Sequence, residues 1–226
     1  MNQKQIKKFE SKLISATDDE KLVHLDSLAF ALRHSDTSRA QKYGSELLEL
    51  AIKLNHPKSK SKAYRHLGAA HYLNGEYFET IKNFESSLKI ERNLLNDEGV
   101  SAGLNNLAII FSKIGNKQKS LNYYLNALDL FIKTGNVDGQ AACTSNIGLL
   151  YSELNDFKNA KTYYKRALAQ AEKHEYQYGI ATTELNLGEL LVQEDDYEEA
   201  LKLFKNSLKK SQKQDSHMLT ISILIN

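Results

Sequence analysis

The chain has 226 residues, of which 41% are hydrophobic and 26% are charged, and this composition excludes a disordered protein. The formal net charge is only +2 and the lysines are scattered along the chain, so we do not expect nucleic acid as a partner. One proline and no tryptophan fit a chain that is almost entirely helical.

Cysteine content and hydropathy bear on the compartment and on metal sites. Cys143 is the single cysteine, so no intramolecular disulfide can form, and no Cys/His cluster has metal-ligand spacing. The basic N-terminus is not followed by an apolar run, and no stretch approaches the ~18 apolar residues of a membrane span. We therefore predict a cytoplasmic protein without membrane, metal or cofactor, unless a leader has been removed.

The first residues predict a short amphipathic helix. Apolar residues recur at helical spacing over 2–15, namely Ile6, Phe9, Leu13 and Ile14. We interpret residues 1–16 as a capping helix that covers the first repeat. A helix lying on a membrane surface is the alternative.

An irregular repeat, 21–60, is predicted to follow. Thr17 is suited to cap a helix over about 19–33. Asp36 is suited to cap a second helix, which ends near residue 54. The segment lacks most of the small and aromatic residues that later repeats share, as is typical of a terminal repeat.

Four blocks of forty residues follow without insertion: 61–100, 101–140, 141–180 and 181–220. Each block has an apolar residue at position seven, small residues at eight and twenty, an aromatic at twenty-four and Leu at twenty-eight. Position eight holds Gly68, Ala108, Gly148 and Gly188, and position twenty-four holds Phe84, Tyr124, Tyr164 and Phe204. This periodicity predicts a stacked array in which each repeat packs on its neighbours.

Each block is predicted to form two helices, which we call helix A and helix B. Helix A is expected over about 57–74, 97–114, 137–154 and 177–194, and helix B over about 77–95, 117–134, 157–174 and 197–213. The turns between them carry Gly, Asn or Asp, which suit left-handed C-caps or N-caps. The small residues let the two backbones approach closely, and the aromatic residue is expected to fill the space toward the next repeat.

These positions resemble the tetratricopeptide repeat over residues 21–226. The resemblance rests on Leu–Gly at seven and eight, an aromatic or apolar residue at eleven (Phe111, Tyr151), a small residue at twenty and Phe or Tyr at twenty-four. It implies an all-α fold, a right-handed superhelical solenoid of antiparallel helix pairs with about 11–12 helices. The period of forty exceeds the usual 34 or so, which predicts a longer helix B and a longer loop after it. Forty-residue arrays of this kind look like those of peptide-binding adaptors and bacterial signalling proteins.

Position six of helix A is the main candidate for binding. It carries His66, Asn106, Asn146 and Asn186 in successive blocks. The resemblance implies that the A helices line a concave groove with position six facing it. An Asn amide both donates and accepts hydrogen bonds, so a column of asparagines is suited to hold the backbone of an extended peptide. The alternative is that each Asn bonds to the neighbouring helix and braces the array.

Other groove positions change in character along the array. The first regular repeat contributes Lys62 and Arg65, the middle contributes Asn105, Ile109, Lys113 and Leu149, and the last repeat contributes Glu189. This gradient from basic through apolar to acidic predicts an extended peptide of matching polarity. Ordinary variation of an exposed surface is the alternative.

Two functional hypotheses follow. The first is a non-enzymatic scaffold that binds a peptide or protein segment in the groove. The second is a sensory or oligomerising N-terminal regulatory domain of a larger bacterial signalling protein with a cyclase, kinase or transcription-regulator output. No nucleophile–base pair or Gly-rich phosphate loop is present, so an enzyme is not expected, and we interpret the histidines as satisfied or solvated. The frame enters a fifth block at 221–226, which predicts a part of a longer protein that self-associates through its C-terminal edge.

Overall fold

The computed structural model describes residues 3–213, and over that range the chain forms eleven α-helices and no strand. The helices are α1 (Gln3–Ser15), α2 (Asp18–Leu32), α3 (Thr37–Lys53), α4 (Pro57–Leu73), α5 (Tyr77–Asn93), α6 (Asp97–Lys113), α7 (Lys117–Thr134), α8 (Val137–Glu153), α9 (Phe157–Lys173), α10 (Gln177–Gln193) and α11 (Tyr197–Lys213). The all-α repeat fold is therefore confirmed, with boundaries within two residues of those predicted. The predicted fragment 221–226 and the C-terminal edge lie outside the described residues.

The helices fall into two compact units that divide between Ile114 and Gly115. In the first unit α2, α3, α4, α5 and α6 each pack on the next helix, and α2 also touches α4. In the second unit α7 to α11 pack in the same sequential way, and α8 also touches α10. Consecutive helices joined by such short links are antiparallel, and the A helices α2 and α4, and likewise α8 and α10, are neighbours.

Helix α1 packs on the first helix pair. Its Ile6 is buried, and the ring of Phe9 meets His24 of α2 edge-on with centroids 5.2 Å apart. Glu10 pairs with Arg39 of α3 and accepts a hydrogen bond from the Tyr43 hydroxyl at 2.5 Å. The apolar side of α1 thus contacts α2, while its carboxylate reaches α3.

The predicted helix starts are confirmed by hydrogen bonds. Thr17 and Glu20 form a reciprocal capping box at the start of α2, with the Thr17 amide donating to Glu20 Oε2 at 2.9 Å. Asp36 Oδ1 accepts from the Arg39 amide at 3.0 Å and caps α3. Pro57 occupies the first turn of α4, where its missing N–H leaves no hydrogen bond unmade.

Helix A and helix B of a repeat are equally long. In the repeat formed by α4 and α5 each helix has 17 residues, and the links 74–76 and 94–96 have equal length. Within this repeat helix B is therefore no longer than helix A, and the loop after it is no longer than the loop before it. That helix B and its loop exceed those of the usual repeat of about 34 residues stays a prediction.

A left-handed residue stands in each link from α3 onward. These residues recur every twenty positions at Asn55, Gly75, Leu95, Gly115, Gly135, Asn155, Glu175 and Asp195, with φ between 50° and 83°. Gly, Asn and Asp were expected at such turns. Leu95 and Glu175 were not, because L-residues other than Asn and Asp disfavour this conformation. The fold therefore imposes the conformation even where the residue opposes it.

The small residue at position eight contacts the aromatic residue of its own repeat. A Cβ added at Gly148 would lie 2.7 Å from the Tyr164 ring, and one at Gly188 would lie 2.5 Å from the Phe204 ring. The aromatic ring thus packs on helix A of its own repeat. The ring of Tyr164 also belongs to one buried cluster with Leu187 and Leu190 of α10, in line with the expectation that it fills the space toward the next repeat.

Gly148→Ala is expected to lower the free energy of unfolding by about 1–3 kcal/mol, because overpacking costs this much and the Tyr164 ring is only 1% exposed. Urea denaturation followed by circular dichroism measures it. Gly103→Ala is the matched control, because the atom nearest to its added Cβ would be a Leu88 side-chain carbon at 3.3 Å and alanine favours helix. Equal effects of the two substitutions would contradict the close-packing argument.

Leu95→Gly is expected to raise the free energy of unfolding by about 1 kcal/mol. Leu95 is 88% exposed with φ 53°, so glycine removes backbone strain without uncovering a core. Thermal and urea unfolding measure the change. Leu94→Gly is the control, since Leu94 has φ −82° and glycine brings no relief there; a gain in stability from Leu94→Gly would refute the explanation.

Candidate protein-interaction site

The predicted groove residues all lie on A helices, but in two units. Lys62, Arg65 and His66 are half-buried on α4, and α6 carries half-buried Asn105, Asn106 and Ile109 with exposed Lys113 in its last turn. In the second unit α8 carries half-buried Asn146 and exposed Leu149, and α10 carries half-buried Asn186 and Glu189. The structure brings Lys62, Arg65 and His66 together in one pocket.

The first repeat also contributes to this column of side chains. Asp26 lies on α2 forty residues before His66, and its Oδ1 is 2.7 Å from His66 Nε2. Its other carboxylate oxygen accepts a hydrogen bond from Lys62. Sequence reasoning missed Asp26 because the first repeat was treated as irregular, although the forty-residue frame places Asp26 at position six. His66 is therefore a satisfied histidine.

The charge state of Asp26 follows from these partners. Burial raises the pKa of its carboxyl, but the hydrogen bonds from His66 and Lys62 outweigh burial and hold the pKa below its ordinary value. Asp26 is therefore ionised at neutral pH. Its negative charge offsets the charge of Lys62 within the same cluster.

A surface pocket of about 580 Å³ opens between α2 and α4, and we call it the α2/α4 pocket. Its lining residues are Asp26, Ser27, Phe30, Arg33, Lys62, Arg65, His66 and Ala69. Phe30 is 58% exposed, and the Arg33 guanidinium lies 3.8 Å from the centroid of its ring. Among residues 3–213, neither Arg33 nor Arg65 has a carboxylate partner. The pocket thus combines apolar surface with two guanidinium groups that have no carboxylate partner among the described residues.

A smaller pocket of about 170 Å³ lies between α8 and α10 in the second unit, and we call it the α8/α10 pocket. It is lined by Ala141, Ala142, Ser145, Asn146, Tyr176, Tyr178, Gly179, Thr182 and Thr183. The lining carries hydroxyl and amide groups and no charged side chain. Its chemistry suits neutral polar groups such as a peptide bond.

The asparagines at position six differ in their hydrogen bonds. Asn186 Nδ2 donates to Ser145 Oγ at 3.3 Å, which joins α10 to α8. Within the described part of the chain, Asn106 and Asn146 make no intramolecular hydrogen bond through their side chains. The bracing alternative thus fits Asn186, while Asn106 and Asn146 show no bracing bond among the described residues.

Other reactive groups of the chain are occupied or dispersed. Cys143 is buried and donates to the Tyr124 carbonyl at 3.2 Å, and burial raises the pKa of its thiol to about 12, so the thiol is unreactive. In the range that the structure describes, no three His, Cys, Asp or Glu side chains come together as metal ligands. No helix in that range is both long and apolar enough to cross a membrane.

Comparison with known proteins decides the family. A profile of the tetratricopeptide repeat matches residues 59–133 and 104–173, and a second profile of the same repeat matches residues 185–217. The first profile alone extends over half of the chain. The chain is a tetratricopeptide repeat protein. The resemblance read from the repeat positions is confirmed, and the family consists of scaffolds for protein interactions.

The tetratricopeptide repeat protein has curated relatives that match part of it. It is 41% identical over 66 residues to the photosystem I assembly protein Ycf3 of Prochlorococcus marinus (strain MIT 9211), which covers 29% of this chain and 36% of that relative. Across the curated relatives, the matched segment spans between a third and a half of their length.

Solved structures share the fold over nearly the whole tetratricopeptide repeat array. BtubC (BKLC) from P. vanneervenii has a TM-score of 0.74 at 21% identity, covering 94% of this chain and 89% of that one. A Rap protein complexed with competence and sporulation factor has a TM-score of 0.74 at 16% identity, covering 97% of this chain and 67% of that one. At these identities the likeness concerns the fold alone.

Asp26→Asn is expected to lower the free energy of unfolding by about 1 kcal/mol at pH 7, because it removes an ionised acceptor from a partly exposed cluster. Since the pKa of Asp26 is lowered in the fold, its contribution is present above the ordinary value of 3.8 and is lost as the pH falls below it. Urea unfolding across this range measures the effect.

Asp129→Asn on the exposed surface of α7 is the matched control and should leave the free energy of unfolding nearly unchanged. If the difference between the wild type and Asp26→Asn persisted undiminished well below pH 3.8, ionisation of Asp26 would not be its cause.

Proposed function

We propose that this protein is a non-enzymatic scaffold in which the exposed faces of the A helices of each unit hold an extended segment of a protein partner. The observation that carries this proposal is Asn106 in the first unit and Asn146 in the second, each at position six of its repeat, whose amides take no part in hydrogen bonds within residues 3–213. An amide left free on a helix face can both donate to a peptide carbonyl and accept from a peptide N–H.

Side-chain selection is assigned to the pockets between neighbouring A helices. The α2/α4 pocket and the α8/α10 pocket both lie beside position six, and both contain apolar surface next to polar groups. Sites that bind ligands share this composition, an apolar lining with a few polar groups that orient the ligand. The backbone contacts would supply affinity, and the pockets would supply preference for particular side chains.

The proteins that resemble this chain support a protein or peptide as the partner. One relative is named for assembling photosystem I, and the Rap protein was solved in complex with a competence and sporulation factor. The proposal takes from them only the class of partner. Which protein is bound, and in which compartment, stay predictions.

The decisive experiment replaces the two free amides. Peptides are selected on the wild-type protein from a random peptide library, and their affinity is then measured for Asn106→Ala/Asn146→Ala. Binding should weaken by about tenfold, because each lost hydrogen bond contributes ~0.5–1.5 kcal/mol. The unfolding temperature should stay unchanged, since these amides have no partner inside the described fold.

Asn122→Ala/Asn126→Ala on the exposed surface of α7 is the matched control and should bind the peptides as the wild type does. Unchanged affinity in Asn106→Ala/Asn146→Ala, or a failure to select any peptide, would refute the proposal.

Asn186→Ala separates bracing from binding. This substitution removes the 3.3 Å bond to Ser145 and should lower the free energy of unfolding by about 0.5–1.5 kcal/mol. An unfolding curve identical to that of the wild type would show that the bond does not brace α10 on α8.

A further inference from the structure

The charged side chains of the α2/α4 pocket differ in whether they have a partner of opposite charge. Asp26 is paired with Lys62 and His66, so the single carboxylate of the lining is already occupied. Arg33 and Arg65 face the same cavity without a carboxylate partner among the described residues. After the pairing of Asp26 with Lys62, the lining retains the positive charge of two guanidinium groups.

Arg33 is held in place by an aromatic ring. Its guanidinium carbon lies 3.8 Å from the centroid of the Phe30 ring, a distance at which a cation is attracted to the ring face. This contact with the ring does not use the N–H groups of the guanidinium as donors to a carboxylate. A guanidinium so fixed loses less conformational entropy when it binds an anion.

Phe30 also supplies apolar surface. Its side chain is 58% exposed at the side of the pocket, and its ring meets His66 edge-on with centroids 6.5 Å apart. A large aromatic ring left this exposed gains free energy when a second apolar group covers it. The cavity of about 580 Å³ lies within the usual range of ~300–1,000 Å³ for ligand sites.

We infer that the α2/α4 pocket receives the carboxylate of an acidic side chain on Arg33 and Arg65, and an adjacent apolar side chain of the same peptide on Phe30. The inference rests on the proposed function and names the class of segment that this end of the scaffold takes. The planar fork of guanidinium donors matches the two oxygens of a carboxylate. Asp26 contributes indirectly. Its carboxylate pairs with Lys62 and His66 and not with Arg33 or Arg65, so the two guanidinium groups remain available to the ligand.

The test uses the full chain and a random peptide library. Peptides selected on the wild-type protein should be enriched in Asp or Glu next to an aromatic or aliphatic residue. The selected peptides should bind Arg33→Gln/Arg65→Gln at least about tenfold more weakly, because charge-assisted hydrogen bonds are roughly twice as strong as neutral ones. Their binding to the wild type should also weaken as the salt concentration rises.

Three further variants separate the effects of charge, folding and apolar contact. Arg92→Gln/Arg166→Gln makes the same change in net charge at exposed sites outside the pocket and should leave the affinity unchanged. Phe30→Ala should keep the preference for an acidic residue and lose the preference for its apolar neighbour. The unfolding temperature of every variant must match that of the wild type. If Arg33→Gln/Arg65→Gln does not fold, Arg33→Lys/Arg65→Lys, which keeps the charge, replaces it.

Each outcome decides between the two proposals. Peptides that depend on Asn106 and Asn146 but show no enrichment in acidic residues would overturn the inference and leave the proposed function standing. Acidic peptides that bind Arg33→Gln/Arg65→Gln as tightly as the wild type would overturn the assignment to this pocket. Failure to select any peptide on the wild type would overturn the proposed function and the inference together.

Discussion

The close contact between the glycine of helix A and the aromatic ring of helix B determines which face of helix A turns away from helix B. At Gly148 any side chain would collide with the Tyr164 ring, so this side of α8 must face α9. Successive residues of a helix turn by about 100°. Asn146, two residues earlier, therefore projects roughly 200° away from helix B. The packing of Gly148, which has no Cβ atom, against the Tyr164 ring thus also determines which side chains of α8 point away from α9.

The left-handed residue in each link has a complementary role, because it sets the length of the unit that is repeated. A 17-residue helix and a three-residue link together give a step of twenty residues. Two such steps make one forty-residue repeat, after which side chains at equivalent positions have the same orientation. Leu95 and Glu175 adopt this conformation although their side chains oppose it. The packing of neighbouring helices must therefore outweigh the local strain, as is usual for helices that depend on tertiary contacts. The regularity lies in the fold more than in the local sequence.

The fold was predictable from the sequence because packing positions repeat in residue type, as at Gly148 and Tyr164. Polar partners were less predictable, since they are pairs of different residues brought together by the stacking. Asp26 finds His66 across two A helices, and neither residue is a small or aromatic marker of the repeat. Glu91 is similar: it is 3% exposed, accepts from Asn96 at 2.7 Å and pairs with Ser61. A pattern along the chain gives the neighbouring position but not the hydrogen bond made there.

A repeat array combines positions that stay constant with positions that vary. Position six recurs in every repeat, and an asparagine there carries both a donor and an acceptor, which Asn186 uses to bond Ser145. The pockets beside it are lined by positions that the packing leaves free to differ, so the α2/α4 pocket carries arginines and an exposed Phe30 while the α8/α10 pocket carries hydroxyl groups. Asp26 shows how the two kinds of position interact. At position six of the first repeat it replaces the neutral amide, and its carboxylate pairs with Lys62 and His66 of the next repeat. The irregular first repeat is thus the one in which position six itself supplies a charge to the lining of a pocket.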